Sequence, residues 1–363
     1  GEELSLSGAR GAMWLLMEAV ERFAAEGGPG SAPAADGPPA LPCALGAPDL
    51  EPFQLLLKDG ERPQVQAAMI GAMRLWLSAG PPAKDVRRMS TALRRCVSMA
   101  CSDSAAVRNA AVALIPQLAR PEALPCVFQP GDDLSPGARV RESELQLLKE
   151  LRRLLEAPVA EAQREKAHGS VLACIAQLGA GAGRRETLWM SLVMLVDALG
   201  DASPSMRAAA AELLHSVARL RGVFVSEMVT GQLRVMEYIG RCMQSKPGIV
   251  PELARTMGLQ VGELARRMLP AVLPRMVISQ DMKPLTALAE MLGLPLSDML
   301  VNYGHYTVAS ILLDGGQEID EYAAFMHKHT EVEFDDLVRS SLRSILREVI
   351  WGAGDEKRWA EAG

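Results

Sequence analysis

The sequence predicts an all-α protein, an alpha-solenoid of stacked antiparallel helix pairs, and three observations carry that expectation. Aromatic residues make up only 4% of the chain while apolar residues reach 49%, with 19 methionines. Ala, Leu and Met lose little conformational freedom in a helix, whereas strands favour branched and aromatic side chains. Segments of roughly ten to twenty residues are punctuated by Gly or Pro, and none alternates at strand period. Finally, one short phrase recurs where helices begin, so the helices read as copies of a unit.

In chain order, residues 1–26 read as an N-terminal helix running from about Leu4 to Glu26. Residues 27–48 are so rich in Gly, Pro and Ala that no core can form there, and they read as a flexible linker. Residues 49–222 read as helical repeats, broken at Gly60, Pro81, Pro82, Pro121, Pro130, Gly131, Pro158, the stretch Gly179 to Gly183, Gly200 and Gly222. The recurring phrase lies here: GERPQVQAAM from Gly60, SDSAAVRNAA from Ser102 and DASPSMRAAA from Asp201. Each sets a turn-former five positions before an apolar anchor (Val65, Val107, Met206), then a polar residue (Gln66, Arg108, Arg207), then small alanines. The cap starts the helix, the anchor enters a shared core, and alanine lets a neighbouring helix approach. Ser203 and Pro204 fit as N-cap and first helical residue. The first two anchors lie 42 residues apart, and the phrase resembles the second helix of HEAT repeats, so the predicted stack is HEAT/armadillo-like.

Residues 223–352 read as a further helical region broken at Pro247, Gly248, Gly293, Gly315 and Gly316, with 353–363 as a tail. One stripe is expected along a helix through Val229, Leu233, Met236, Gly240 and Met243. A second runs along the last helix through Phe334, Leu337, Val338, Ser341, Leu342, Ile345, Leu346 and Val349, leaving Asp335, Arg339, Arg343, Arg347 and Glu348 in water. Thr330 and Glu333 read as that helix's capping box and Gly352 as its stop.

Charge and cysteine usage exclude several classes. A net charge of −6 supplies no electrostatic footprint for direct nucleic-acid binding, and Arg87, Arg88, Arg94 and Arg95 read as a solvated helix face. The six cysteines (Cys43, Cys96, Cys101, Cys126, Cys174, Cys242) form no C-x-x-C pair and read as small buried hydrophobes in a reducing compartment. No apolar run reaches the ~20 residues of a membrane span, and the GEELSLSG start does not read as a signal peptide. The chain is expected to be soluble and intracellular, the middle of a longer protein.

No motif carries chemistry, so no catalytic, cofactor-binding or metal-ligating residue is assigned and no cofactor is expected. GAGAGRRET, from Gly179 to Thr187, lacks the lysine and the spacing of a phosphate loop and reads as a helix–helix turn. His327, His329, Glu331 and Glu333 could converge on a divalent ion in a loop, but read as a polar turn whose acids favour the next helix's positive end. His168, His215 and His305 have no nucleophile or acid at catalytic spacing. The acidic pairs Asp132–Asp133 and Asp335–Asp336 fall in a loop and a helix start.

From Tyr238 onward the residues carry a more particular likeness. Leu269-Pro270 and Leu273-Pro274 are followed by a lysine-bearing turn, then Ala287-Leu288-Ala289, then Asp298-Met299-Leu300-Val301-Asn302. This stretch, mainly 223–313, resembles the UME region of ATR-type checkpoint kinases, members of the phosphatidylinositol 3-kinase-related family. The resemblance implies a solenoid segment upstream of a serine/threonine kinase domain in a very large nuclear protein of DNA-damage signalling, with an ATR-interacting adaptor bound elsewhere on the solenoid. It transfers no catalytic residue. On the residues alone, Pro270 and Pro274 would bend their helix. Two other readings stand beside this one. An independent HEAT or armadillo-type adaptor would likewise hold protein partners on its helical surfaces, whereas a metal-dependent enzyme would be built around His327 and His329.

Overall fold

The computed structural model describes residues 63–78, 80–131, 133–159 and 161–361. The N-terminal helix and linker expected over 1–48, together with Cys43 and Gly60, lie outside them. The described residues form α-helices and no strand, and the fold is an all-α stack of the HEAT/armadillo-like kind. Contacts divide the chain into two units, 1–195 and 196–363.

The first unit holds α1 (Pro63–Ser78), α2 (Ala83–Arg88), α3 (Ser90–Ser98), a 3-10 turn (Met99–Cys101), α4 (Ala105–Leu118), α5 (Leu124–Phe128), α6 (Pro136–Glu156), α7 (Glu161–Gly181) and the start of α8 (Arg185–Ala198). Helices α1, α4 and α7 stack in a row, with α2, α3, α5 and α6 packed beside them. The two phrases spaced 42 residues apart begin α1 and α4, which pack directly on each other. Met69, Ile70, Leu114, Ile115 and Leu118 are fully buried in this unit. At about 25 cal/mol per Å² of apolar area, burial of that kind is what holds so loop-poor a stack together.

The second unit holds the end of α8 and then α9 (Pro204–Arg221), α10 (Val225–Thr230), α11 (Leu233–Cys242), α12 (Ile249–Met257), α13 (Val261–Ile278), α14 (Met282–Leu292), α15 (Leu296–Leu313), α16 (Ile319–Thr330) and α17 (Phe334–Glu361). Here α11, α13, α15 and α17 form the row, each touching the next. Helices α12, α14 and α16 each pack on the helix that follows them.

A connection recurs in this unit at near-constant period. Gly222, Gly258, Gly293 and Glu331 all have positive φ (68°, 68°, 69° and 58°) and lie 36, 35 and 38 residues apart. An apolar residue follows each (Val223, Leu259, Leu294, Val332), and then the residue at which the next helix begins (Phe224, Gln260, Pro295, Glu333). After the three glycines the apolar residue's amide closes a six-residue turn, donating to Ala218, Ala254 and Ala289 at 3.0, 2.9 and 3.0 Å. The left-handed step costs glycine nothing, so three of four repeats use it.

The recurring N-terminal phrase has a recurring geometry. Arg108 Nη1 donates to the carbonyls of Ser102 and Asp103 at 2.7 and 2.9 Å. Arg207 Nη1 does the same to Asp201 and Ala202 at 2.8 and 3.0 Å. The amides of Ser104 and Ser203 donate to the side chains of Ser102 and Asp201, two residues earlier, at 3.3 and 2.9 Å. Ser203 Oγ also accepts from the Met206 amide, the N-cap bond expected of it. The arginine therefore folds back and satisfies the carbonyls of the turn that precedes its own helix. Val107 and Met206 are buried as expected, while Val65 is half-buried.

Helix α13 runs through both prolines. Proline at 270 leaves the Arg266 carbonyl without an amide donor and proline at 274 does so for Pro270, and Arg266 and Pro270 both lie on the exposed side of the helix. Leu269, Leu273, Leu288, Met299 and Leu300, singled out from sequence, are fully buried.

Three expectations are corrected. Val229 and Met236 do not share a helix: the chain breaks at Gly231, and Leu233, the first residue of α11, is 55% exposed. Gly352 does not stop the last helix, which continues to Glu361. Thr330 does not cap it either. Thr330 ends α16, its hydroxyl donating to the Met326 carbonyl at 2.6 Å, while the Glu333 carbonyl accepts from Asp336 and Leu337, so Glu333 itself sits at the N-cap. No single helix among the described residues is long and apolar enough to cross a membrane. The bent pair α14 and α15 passes by composition, and its Leu285, Leu288, Met299 and Leu300 are buried within the protein.

Candidate interaction surface

The histidine cluster is separated by helix geometry. His327 and His329 lie in the last turn of α16 rather than in a loop, and alternate residues on a helix point some 200° apart. His327 Nδ1 lies 3.2 Å from Glu333 Oε1, with both side chains exposed, while the His329 ring packs on Phe325 at 4.5 Å. Glu331 occupies the left-handed turn. No three His, Cys, Asp or Glu side chains converge to hold a metal among the described residues.

The Gly179 to Thr187 stretch is the α7–α8 corner. A Cβ on Gly179 would stand 2.9 Å from Ser191 Cβ, so the glycine permits the two helices to close. The buried Thr187 hydroxyl donates to Glu144 on α6. His168 is buried and His215 exposed. His305 on α15 is buried with no hydrogen-bond partner at Nε2, and burial lowers its pKa against the opposing pull of Glu348.

The cysteines other than Cys43 are free thiols, and Cys96, Cys126 and Cys174 are buried. Desolvation pushes Cys96 and Cys174 up to about 12. Arg87, Arg88, Arg94 and Arg95 are exposed, and Arg94 ties α3 to α6 through Glu150 at 2.9 Å while covering the Phe128 ring at 5.5 Å.

In the second unit, Asp197 accepts from the Tyr238 hydroxyl and from Lys246 Nζ, the latter at 2.6 Å, tying the end of α8 to α11 and the following turn. Burial, then the Asp197 bond, holds the Tyr238 phenol well above its ordinary pKa. Arg207 reaches Glu252 on α12 at 3.3 Å, and Arg275 on α13 reaches Glu237 on α11 at 3.1 Å. These polar groups are spent on holding helices in register.

The surface left over is the outer face of α17. Leu337 and Ile345 are buried, but Leu342, Leu346 and Ile350 are 49%, 51% and 68% exposed. They stand four residues apart, so they form one stripe on consecutive turns. Arg343 and Arg347 line a shallow groove with them. Among the described residues Arg343 carries no ion pair, Arg347 pairs with its neighbour Glu348 at 3.2 Å, and Arg339 stands 4.0 Å from Asp336. A second exposed apolar group, Leu220, Val223 and Phe224, sits at the α9–α10 corner.

No protein-family model matches the chain. The serine/threonine-protein kinases ATR of Oryza sativa subsp. indica and subsp. japonica are each 24% identical to it over 214 residues, which is 56% of this chain and 7% of theirs. The chain thus spans only 7% of the length of the curated relatives it matches. A crystal structure of an engineered protein is 14% identical, covering 78% of this chain and 96% of that one, with a TM-score of 0.31, too low to carry an argument.

Proposed function

We propose that this chain is a non-catalytic helical scaffold segment of an ATR-like serine/threonine kinase and that it holds protein partners on the exposed faces of its helices. The 214-residue similarity to the rice kinases carries this reading. The all-α stack supports it, because a repeat array offers long solvent-facing surfaces without needing a catalytic pocket. On this reading 223–313 serves as the UME-like part of the array, the parent works in the nucleus in DNA-damage checkpoint signalling, and an ATR-interacting adaptor binds elsewhere on the solenoid.

The test is the reading frame in the transcript. It should continue on both sides through helical repeats and reach a phosphatidylinositol 3-kinase-related kinase module downstream, while the purified chain binds no ATP. A frame that closes without a kinase module would favour an independent HEAT-type adaptor instead.

A further inference from the structure

We infer that the outer face of α17 docks an amphipathic partner helix that is acidic along one edge. The stripe Leu342, Leu346, Ile350 has the spacing by which one helix seats another, with anchors on successive turns. Leucine and isoleucine at half exposure or more gain from any cover that removes them from water. What the cover must carry is set by the arginines. On the helical wheel Arg343 and Arg347 fall to the same side of the stripe and Arg339 falls within it, between Leu346 and Ile350, with Glu348 the one acid in the sequence between Arg339 and Ile350. This basic edge stands out in a chain of net charge −6. A partner edge of Glu or Asp would pair with guanidinium groups that already project into solvent and can bind carboxylates in a bidentate way.

The same geometry disfavours two other occupants. A second copy laid antiparallel would bring the arginine edge against its own equivalent, a like-charge contact. A nucleic-acid duplex would pair with the arginines but leave the apolar stripe in water.

The inference depends on the scaffold reading only in taking helix faces as binding surfaces. The parent's frame plays no part in its test, so the two can fail separately. The probe is a synthetic amphipathic helix with leucines at i, i+4 and i+8 and glutamates along one edge, with a twin carrying lysines instead. Each is titrated against the full 363-residue chain by fluorescence anisotropy. The glutamate peptide should bind about tenfold tighter than its twin at low salt and lose that advantage as salt rises. The double substitution Arg343→Glu, Arg347→Glu should reverse the preference, and Leu346→Asp should weaken both peptides. All three side chains are exposed, so circular dichroism should be unchanged. Equal binding of the two peptides, or an unreversed preference, overturns the inference. So does a dimer that Leu346→Asp dissolves, or a DNA duplex that displaces the peptide and depends on the arginines alone.

Discussion

Two glycines inside helices should respond to alanine with opposite signs. Gly240 in α11 faces α13 so closely that a Cβ would stand 2.6 and 2.8 Å from the two γ-carbons of Val272. Val272 is 3% exposed and β-branched, so it has neither space nor a second good rotamer to retreat into. Overpacking of this kind costs about 1–3 kcal/mol, and the tightness of the contact argues for the upper end. Alanine's helix preference over glycine returns about 1 kcal/mol. The net expectation for Gly240→Ala is a loss of about 1–2 kcal/mol. Gly71 in α1 has nothing among the described residues within 4 Å of the position a Cβ would take, so Gly71→Ala should stabilise by about 0.5–1 kcal/mol. Because the two sites lie in different units, each is best read by hydrogen exchange of its own helix across a urea series. A double-mutant cycle sharpens the test. Val272→Ala alone should cost about 1–2.5 kcal/mol, and in the double variant the new Cβ fills part of the void, giving a favourable coupling of about 1 kcal/mol or more. An additive double variant, or a Gly240→Ala chain as stable as its parent, would refute the close-approach argument.

Two further outcomes follow from burial. Leu273→Asp places a carboxylate at a fully buried site on α13 and should cost more than about 4 kcal/mol, opening the α11–α15 region to protease as one unit. Arg267→Ala removes only an exposed pair with Glu263 at 2.6 Å and should change stability by no more than about 0.5 kcal/mol; equal protease resistance of the two variants would sink the shared-core assignment. His305 has a folded-state pKa below its ordinary 6.5 because burial disfavours the cation. The unfolded chain therefore binds this proton first, and the contribution of neutral His305 is present above about pH 6.5 and lost as pH falls through the folded value. The stability of the second unit should fall between pH 7.5 and 5.5, and His305→Gln should flatten that slope; an unchanged slope would refute the assignment.

Much of the fold was legible because local and tertiary requirements agree. The recurring phrase could be read from Val107 and Arg108 or Met206 and Arg207, since one residue enters the core and the next caps the turn behind it. The arginine's fold-back onto Ser102 and Asp201 was not visible, because a bond spanning six residues leaves no periodic trace. The second unit's own period stands in the letters as Gly222-Val223, Gly258-Leu259 and Gly293-Leu294, but two-residue marks some 36 residues apart are faint beside the longer phrase of the first unit. Gly258 stands alone without an adjacent proline or second glycine to mark a break, and the fourth copy replaces glycine with Glu331, which hides the repeat.

In α17 the sequence pattern and the packing differ for a reason specific to this helix. Residues at i, i+3, i+4 and i+7 cover about 100° of a helix, whereas the eight positions from Phe334 to Val349 that read as one inward face cover about 180°. On the wheel they hold two. Leu337 and Ile345, with Ser341 between them, face the protein, while Leu342 and Leu346 sit roughly a third to half a turn round with Arg339 and Arg343. A single interface needs only the narrower stripe, so the surplus apolar residues were the signal. A helix with more apolar circumference than one neighbour can bury, and with arginines interleaved along the excess, is built to meet something on each side. In α17 the inner side meets α15, and the outer side is where the acidic helix would sit.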